Sequence, residues 1–367
     1  MISSSSFGRF RAVQLLALLL AVSASPMPAT AETPNGLAIW PSRDEIAKVR
    51  SEEVTFASHS PFRLVDVGAG PSEDPPTQAE GTLFLPEGAS ARAPVPAVVL
   101  LHGASGVQTS REMTYGRQLA GMGISALVVD AFAARRDLAQ GFVERLLEIT
   151  EAMVLADAYA ALRYFRARPE IDERRVVLMG FSYGGMVATY AAYRQTAMLF
   201  APDGLRFAGH VAFYAPCVAR FDDPRTTGAP VLMLMGSKDE IIDEARCALT
   251  ARDLEEGGSE VRMIVYDGAH HQWDGGRVSP WRAPRNLVDC RFVVERDGDV
   301  RDADTFLPMT GPFTRKVILA LCTDRDGYLI ARDDEVRARS NRDVGRFLAS
   351  VLYGPAHAGR GQSDPSG

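Results

Sequence analysis

The run Val176-Val177-Leu178-Met179-Gly180-Phe181-Ser182-Tyr183-Gly184-Gly185-Met186-Val187-Ala188-Thr189-Tyr190-Ala191-Ala192 decides how the rest of the chain is read. It opens with four apolar residues of strand length, passes through G-x-S-x-G, and closes on a plausible helix. The bare pattern is weak in a chain with 32 glycines. Its context is not, because a nucleophile elbow needs small residues where strand and helix approach through a strained turn, and Gly180, Gly184 and Gly185 supply them. The competing reading is a tight strand-to-helix turn with an inert serine.

Outward from this run, Val98–Leu101, Ala126–Val129, Val211–Tyr214, Val231–Met235 and Met263–Tyr266 are further continuous apolar stretches. Such runs suit strands covered on both faces. Val54–Ala57 and Gly81–Leu85 read as shorter strands, with a Pro, Gly and acid-rich loop between them. The clearest helix is expected from about Phe142 to Phe165, where Val143, Leu147, Val154, Ala158, Ala161 and Phe165 recur at three-to-four spacing before Pro169. Alternating strands and helices predict an α/β fold with a mostly parallel sheet and helices on both faces. Residues 275–334 break the pattern: Asp297-Gly298 and Asp326-Gly327 are candidate hairpin turns, and no long helix is expected there. Asn341–Tyr353 returns to helical period, with Val344, Leu348 and Val351 on one face.

A serine at its free pKa is a weak nucleophile and needs a base and an orienting acid, which follow it at later strand ends in this kind of fold. Gly236-Ser237-Lys238-Asp239 follows one strand, and Asp239 is the first carboxylate beyond it. Glu240 and Asp243 are rivals, although Asp243 is better placed to cap the next helix. Asp267-Gly268-Ala269-His270-His271 follows the next strand, and one of these histidines is the candidate base. The oxyanion donors are expected from the N–H of Tyr183 and from Leu101-His102-Gly103-Ala104, with Ala104 the second donor and His102 shaping the loop. His59, His210 and His357 have no such placement.

The order L-L-H-G-A-S-G, G-F-S-Y-G-G, G-S-K-D and Y-D-G-A-H-H-Q-W-D resembles the α/β-hydrolase superfamily, and within it the dienelactone hydrolase-like branch. The resemblance runs from about residue 81 to 274 together with the last helix. It implies His271 rather than His270 as the base and supports Ser182 and Asp239. It also implies a carboxylic ester or lactone hydrolase working through an acyl-enzyme, with a small-molecule ester as substrate and no cofactor. The founding dienelactone hydrolases carry a cysteine nucleophile and a glutamate where His102-Gly103 stands. The serine therefore points to a general esterase rather than to chlorocatechol lactones. A serine peptidase or amidase would share the triad, but no propeller-like repeat precedes the catalytic region. A non-catalytic binding protein on this scaffold would not need all three positions filled.

The 367 residues, 46% hydrophobic and 23% charged, are ordinary globular composition. The net charge of −6 and the lack of a basic block argue against nucleic acid or anionic membrane as partners. Arg9 and Arg11, the apolar run Ala12–Val22 and Ala29-Thr30-Ala31 have the layout of a secretory signal over residues 1–31. Its removal takes two arginines and no acid, leaving −8 on a mature chain with no lipid anchor expected. The domain expected is residues 32–353, with 275–334 as an irregular insertion near the active site and 354–367 as a disordered tail. The location expected is periplasmic or extracellular, an oxidising compartment where four cysteines can pair.

The cysteines lack C-x-x-C spacing, and the acids Asp297, Asp299, Asp302 and Asp304 lack the calcium-loop pattern, so no metal is assigned. Cys217 follows a strand and Cys247 begins the helix after Asp239; a bridge between them would brace the acid-bearing loop. Cys290 and Cys322 bracket the insertion and would staple it. Trp273, Trp281 and Phe306 are candidates to line the pocket that the insertion walls, against the competing reading of plain packing.

Overall fold

The apolar runs form the interior of an eight-stranded sheet in the computed structural model, which describes residues 40–354 apart from 43, 47 and 48. The proposed signal segment and nearly all of the tail lie outside the described residues. The strands of this sheet are β1 (Arg50–His59), β2 (Pro76–Leu85), β3 (Val95–Leu101), β4 (Ser125–Asp130), β5 (Ile171–Phe181), β6 (Gly209–Phe213), β8 (Val231–Gly236) and β9 (Val261–Tyr266). Strand β7 (Ala219–Phe221) lies in a smaller sheet. Their order is β1-β2-β4-β3-β5-β6-β8-β9, with β1 and β2 antiparallel and all pairings from β4 to β9 parallel. Val98, Val99, Val177, Leu178, Val211, Leu232 and Met233 are fully buried, as a sheet covered on both faces requires.

Helices α1 (Glu112–Gly121), α2 (Phe142–Glu148), α3 (Glu151–Arg166), α4 (Tyr183–Tyr190), α5 (Arg194–Phe200), α6 (Glu244–Glu256), α7 (Pro312–Cys322) and α8 (Asp334–Tyr353) complete the layers. The fold is that of an α/β hydrolase. The helix expected from Phe142 to Phe165 is two helices. Ile149 is extended, and the Thr150 hydroxyl caps α3 by accepting from the Met153 N–H at 3.4 Å. The apolar period runs through the break, but α2 only packs on the rim of the core through Phe142, Leu146 and Leu147: Val143 is 42% exposed, while Val154 and Ala158 are buried.

The insertion holds more regular structure than its sequence announces. Strands β10 (Trp281–Ala283) and β13 (Tyr328–Ile330) pair with each other, and β11 (Phe292–Val294) pairs with β12 (Val300–Asp302) and, in parallel, with β7. Asp297-Gly298 does turn a hairpin, between β11 and β12. Asp326-Gly327 does not, since the partner of β13 is β10, far back in the chain. Helix α7 was not anticipated. It starts with Pro312 in its first turn, a favourable position because the N–H that proline lacks would have no intrahelical acceptor there. Cys290, Val294 and Leu319 join the main core, so the insertion packs on the catalytic body.

His210 of β6 is 1% exposed, and burial drives its pKa down to about 3. The unfolded chain, with an ordinary value of 6.5, takes up that proton first as pH falls. The stabilisation is therefore complete above pH 6.5 and is lost as pH drops towards 3, at about 1.4 kcal/mol per unit. His210→Leu should narrow the loss of urea stability between pH 8 and pH 5 by about 2 kcal/mol relative to wild type; equal losses in the two proteins would contradict this.

Candidate active site

Ser182 stands between the carboxyl end of β5 and the first turn of α4 with φ of 53° and ψ of −111°. A left-handed φ is costly for a residue with a Cβ and persists only where the surroundings over-determine it. Here the surroundings are glycine. A Cβ on Gly180 would lie 1.9 Å from the Gly184 carbonyl oxygen, and one on Gly184 would lie 2.5 Å from the Leu101 oxygen. Helix and strands therefore close to backbone contact around the serine. The Ser182 N–H donates to Phe213 O at 2.9 Å, which pins the turn to β6.

The sheet brings the other two candidates to the same edge. Asp239 follows β8 and His271 follows β9, in adjacent parallel strands. His271 Nε2 lies 2.9 Å from Ser182 Oγ, and its Nδ1 lies 2.7 Å from Asp239 Oδ2. All three side chains are buried. The Ile241 N–H donates to Asp239 Oδ1 at 3.2 Å and so orients the carboxylate. His270 bonds neither Ser182 nor Asp239, and the rivals lie elsewhere: Glu240 pairs with Arg282, and Asp243 caps α6 by accepting from the Arg246 N–H.

The loop after β3 faces the serine. Gly103 comes so near that a Cβ there would meet Ser182 Cβ at 3.4 Å. Ala104 lines the cavity at Ser182 together with Tyr183. The Tyr183 N–H opens α4 and has no intrahelical acceptor. His102 is tied to its own surroundings: Nδ1 donates to Gly103 O at 2.8 Å, and Nε2 accepts from the Ala131 N–H at 3.2 Å. Among the described residues no cluster of three or more His, Cys, Asp or Glu side chains is placed to hold a metal ion.

This architecture coincides with the match of residues 80–275 to the Dienelactone hydrolase family. The chain belongs to the dienelactone hydrolase family. A Bradyrhizobium sp. protein named "Probable 2-oxo-3-(5-oxofuran-2-ylidene)propanoate lactonase" is 25% identical over 185 residues, 48% of this chain and 73% of that protein. A Methylorubrum extorquens protein named "Putative carboxymethylenebutenolidase" is 25% identical over 174 residues, 46% of this chain and 60% of its own length. The solved structure named m3DLH is similar with a TM-score of 0.50 at 20% identity, covering 83% of this chain and 99% of that one.

In this family member the insertion reaches the site through residues other than the expected aromatics. Arg285, Leu287 and Tyr328 line the cavity at Ser182, facing Phe142 and Leu146 of α2. The Tyr328 ring meets His271 edge-on at 4.9 Å, and the Ala331 N–H donates to His271 O at 3.2 Å. Trp273 is not a pocket residue. The chain turns through Gln272 at φ 57°, and the indole is fully buried between Tyr214 and Tyr266, its N–H donating to Ser340 Oγ at 3.1 Å. Trp281 is partly exposed under Arg277, and Phe306 is 68% exposed beside Arg301. Both are outside the cavity lining.

Sequence reading also missed a buried polar group behind His271. The Tyr214 hydroxyl donates to Asp274 Oδ1 at 2.6 Å, and the Tyr214 ring lies edge-on to His271 at 4.8 Å. Arg111 and Glu112 form a fully buried ion pair at 2.7 Å, with the guanidinium over the Phe181 ring. Burial holds the Tyr214 phenol well above its ordinary pKa, so it remains a donor. The available signals were Tyr214 at the end of a strand and Asp274 three residues after His271.

Both disulfides pair as expected, Cys217 with Cys247 and Cys290 with Cys322, with Cα separations of 5.2 and 4.8 Å. The first ties the Pro216 wall of the cavity to α6, and the second ties the loop after β10 to the end of α7. Opening the Cys217–Cys247 loop frees a 30-residue separation in the unfolded chain, worth about 3.5 kcal/mol by loop entropy. A Cys217→Ser/Cys247→Ser protein should lose roughly that much stability in denaturant titration; an unchanged midpoint would remove the brace from the account.

Proposed function

We propose that this carboxylic ester hydrolase is exported and works by acyl transfer, with Ser182 as nucleophile, His271 as base and Asp239 as its orienting acid. The observation that carries the reading is the unbroken chain of two hydrogen bonds from Ser182 Oγ through His271 to Asp239. As Oγ attacks the ester or lactone carbonyl carbon, its proton passes to His271 Nε2 and an Oγ–C bond forms. The negative oxygen is held by the N–H groups of Tyr183 and Ala104. Collapse breaks the carbon–oxygen bond to the alcohol, which leaves with the proton from Nε2. Water then repeats the sequence on the acyl-enzyme, giving the carboxylic acid and restoring Ser182. Asp239 keeps the proton of neutral His271 on Nδ1 and stabilises the imidazolium.

Export is supported by the signal-like layout of residues 1–31 and by two disulfides, which persist in oxidising compartments.

Ser182→Ala should lower kcat on activated esters by about 10⁴-fold or more, and Asp239→Asn by about 10³ to 10⁴-fold, with the fold retained by circular dichroism. Wild type should be labelled by a fluorophosphonate and the Ser182→Ala variant should not. Full turnover in folded Ser182→Ala would end the acyl-transfer reading.

A further inference from the structure

The cavity at Ser182 is small, about 20 Å³, and one of its walls is Met186. On the far side of the same side chain lies a second cavity of about 60 Å³. Ser182, Met186 and Tyr190 are spaced four residues apart at the start of and along α4, so they lie on one helix face. That face borders both spaces: Ser182 and Met186 line the first, Met186 and Tyr190 the second. The opposite wall of the second cavity comes from the insertion, including Phe292 and Val300, and its floor from Ala152 and Leu155 of α3.

The second cavity is mostly apolar, and both cations on its border are paired with carboxylates, Arg63 with Asp66 and Asp299 and Arg315 with Glu151. Arg315 borders it, but its guanidinium is already spent, donating to both carboxylate oxygens of Glu151 at 3.0 Å and to Leu146 O at 3.0 and 3.1 Å. No donor of that pair is left for a ligand carboxylate. The Tyr190 hydroxyl is buried without a partner. At about 12 Å³ for each water-sized group, the larger cavity takes about five such groups and the smaller one or two. Methionine, unbranched with three rotatable bonds, is the side chain most able to swing out of the way between them.

We propose that Met186 is a gate between the reacting carbonyl and a chain-binding cavity, and that the preferred substrate is an ester whose acyl part is an uncharged linear chain of about six carbons. This rests on the acyl-transfer reading for the position of the carbonyl, while the cavity itself stands on geometry alone. Burial of four additional methylenes should make kcat/KM for p-nitrophenyl hexanoate at least about tenfold higher than for the acetate.

Two arms test this. In the first, the hexanoate-to-acetate ratio is measured for wild type, Met186→Ala, Ala152→Leu and Val300→Phe. The ratio should rise or hold in Met186→Ala, and should fall about tenfold in whichever cavity-filling variant folds. A wild-type ratio near one that these substitutions leave unmoved overturns the proposal. In the second, n-hexanol is added to the full-length Ser182→Ala protein, where no turnover is needed. It should raise the melting temperature of that protein and not of the same protein with the cavity filled. Equal shifts, or no shift in either, overturn the proposal. If Ser182→Ala instead keeps full esterase activity, the acyl-transfer reading fails while the hexanol arm still judges the cavity.

Discussion

Everything in the site depends on the backbone contact between the first turn of α4 and the carboxyl ends of β3 and β5. At Gly180 and Gly184 that contact leaves no room for a side chain. The close approach forces Ser182 into left-handed backbone conformation, a strain on the order of 1–3 kcal/mol. Ordinary hydrogen bonds offset it: the Ser182 N–H to Phe213 O, and the Met186 N–H to Ser182 O, both at 2.9 Å. The result is a hydroxyl held at the sheet edge on a buried, hydrogen-bonded turn. Because β5, β6, β8 and β9 are parallel and in consecutive order, the loops after β8 and β9 emerge at that same edge. The parallel sheet thus does the work of convergence, and the loops need only carry Asp239 and His271 a short distance.

The insertion completes the site from the side the sheet cannot reach. Its last strand hydrogen-bonds to the loop that bears His271, and it sets Tyr328 edge-on against the imidazole. Its middle carries β11, which extends β7, and its helix α7 packs on α2 through Arg315, whose guanidinium grips Glu151 and Leu146 O. Helix α2 in turn supplies Phe142 and Leu146 to the cavity. The break at Ile149 and Thr150 belongs to this arrangement. A continuous helix would have committed the Ile149 carbonyl to its own ladder, whereas here it accepts the Tyr183 hydroxyl at 2.7 Å, beside the nucleophile.

Where the chain's own pattern was decisive, the sequence could be read closely. The continuous apolar runs, the glycines around Ser182, and a carboxylate and a histidine pair after later strands follow from local rules that the tertiary structure does not override; the family resemblance singles out His271, and the two disulfides are one of three connectivities the four cysteines allow. The unread parts share a different cause. Helix α2 keeps an apolar period although none of its residues is buried: Phe142 and Leu146 pack on the rim of the core and line the cavity at Ser182. Of the two readings open for Trp273, pocket wall or plain packing, the structure gives packing: one left-handed residue, Gln272, sends the indole into the core. Tyr328 was missed for the converse reason. It lies 57 residues beyond the histidine it touches, and the β10–β13 pairing together with the bridge of Ile330 to His271 returns it to the site.

The buried charges behind His271 make sense in the same terms. Placing Arg111, Glu112 and Asp274 out of water is expensive, and a well-packed apolar group of similar volume would commonly be no less stable. What apolar residues would not supply is direction. Tyr214 sits at φ 38° with its hydroxyl held by Asp274 and its ring edge set against the imidazole, so the tyrosine has little freedom to rotate. Arg111 links the arrangement to the Ser182 side: its guanidinium lies over Phe181, the residue before Ser182, while Nη1 comes within 3.5 Å of the Tyr214 hydroxyl. His271 is therefore held from two sides, by Asp239 through a hydrogen bond and by Tyr214 through a ring whose own position is fixed by buried charge. Catalysis by general base rewards such fixing, because misplacement of about 1 Å can cost two orders of magnitude in rate.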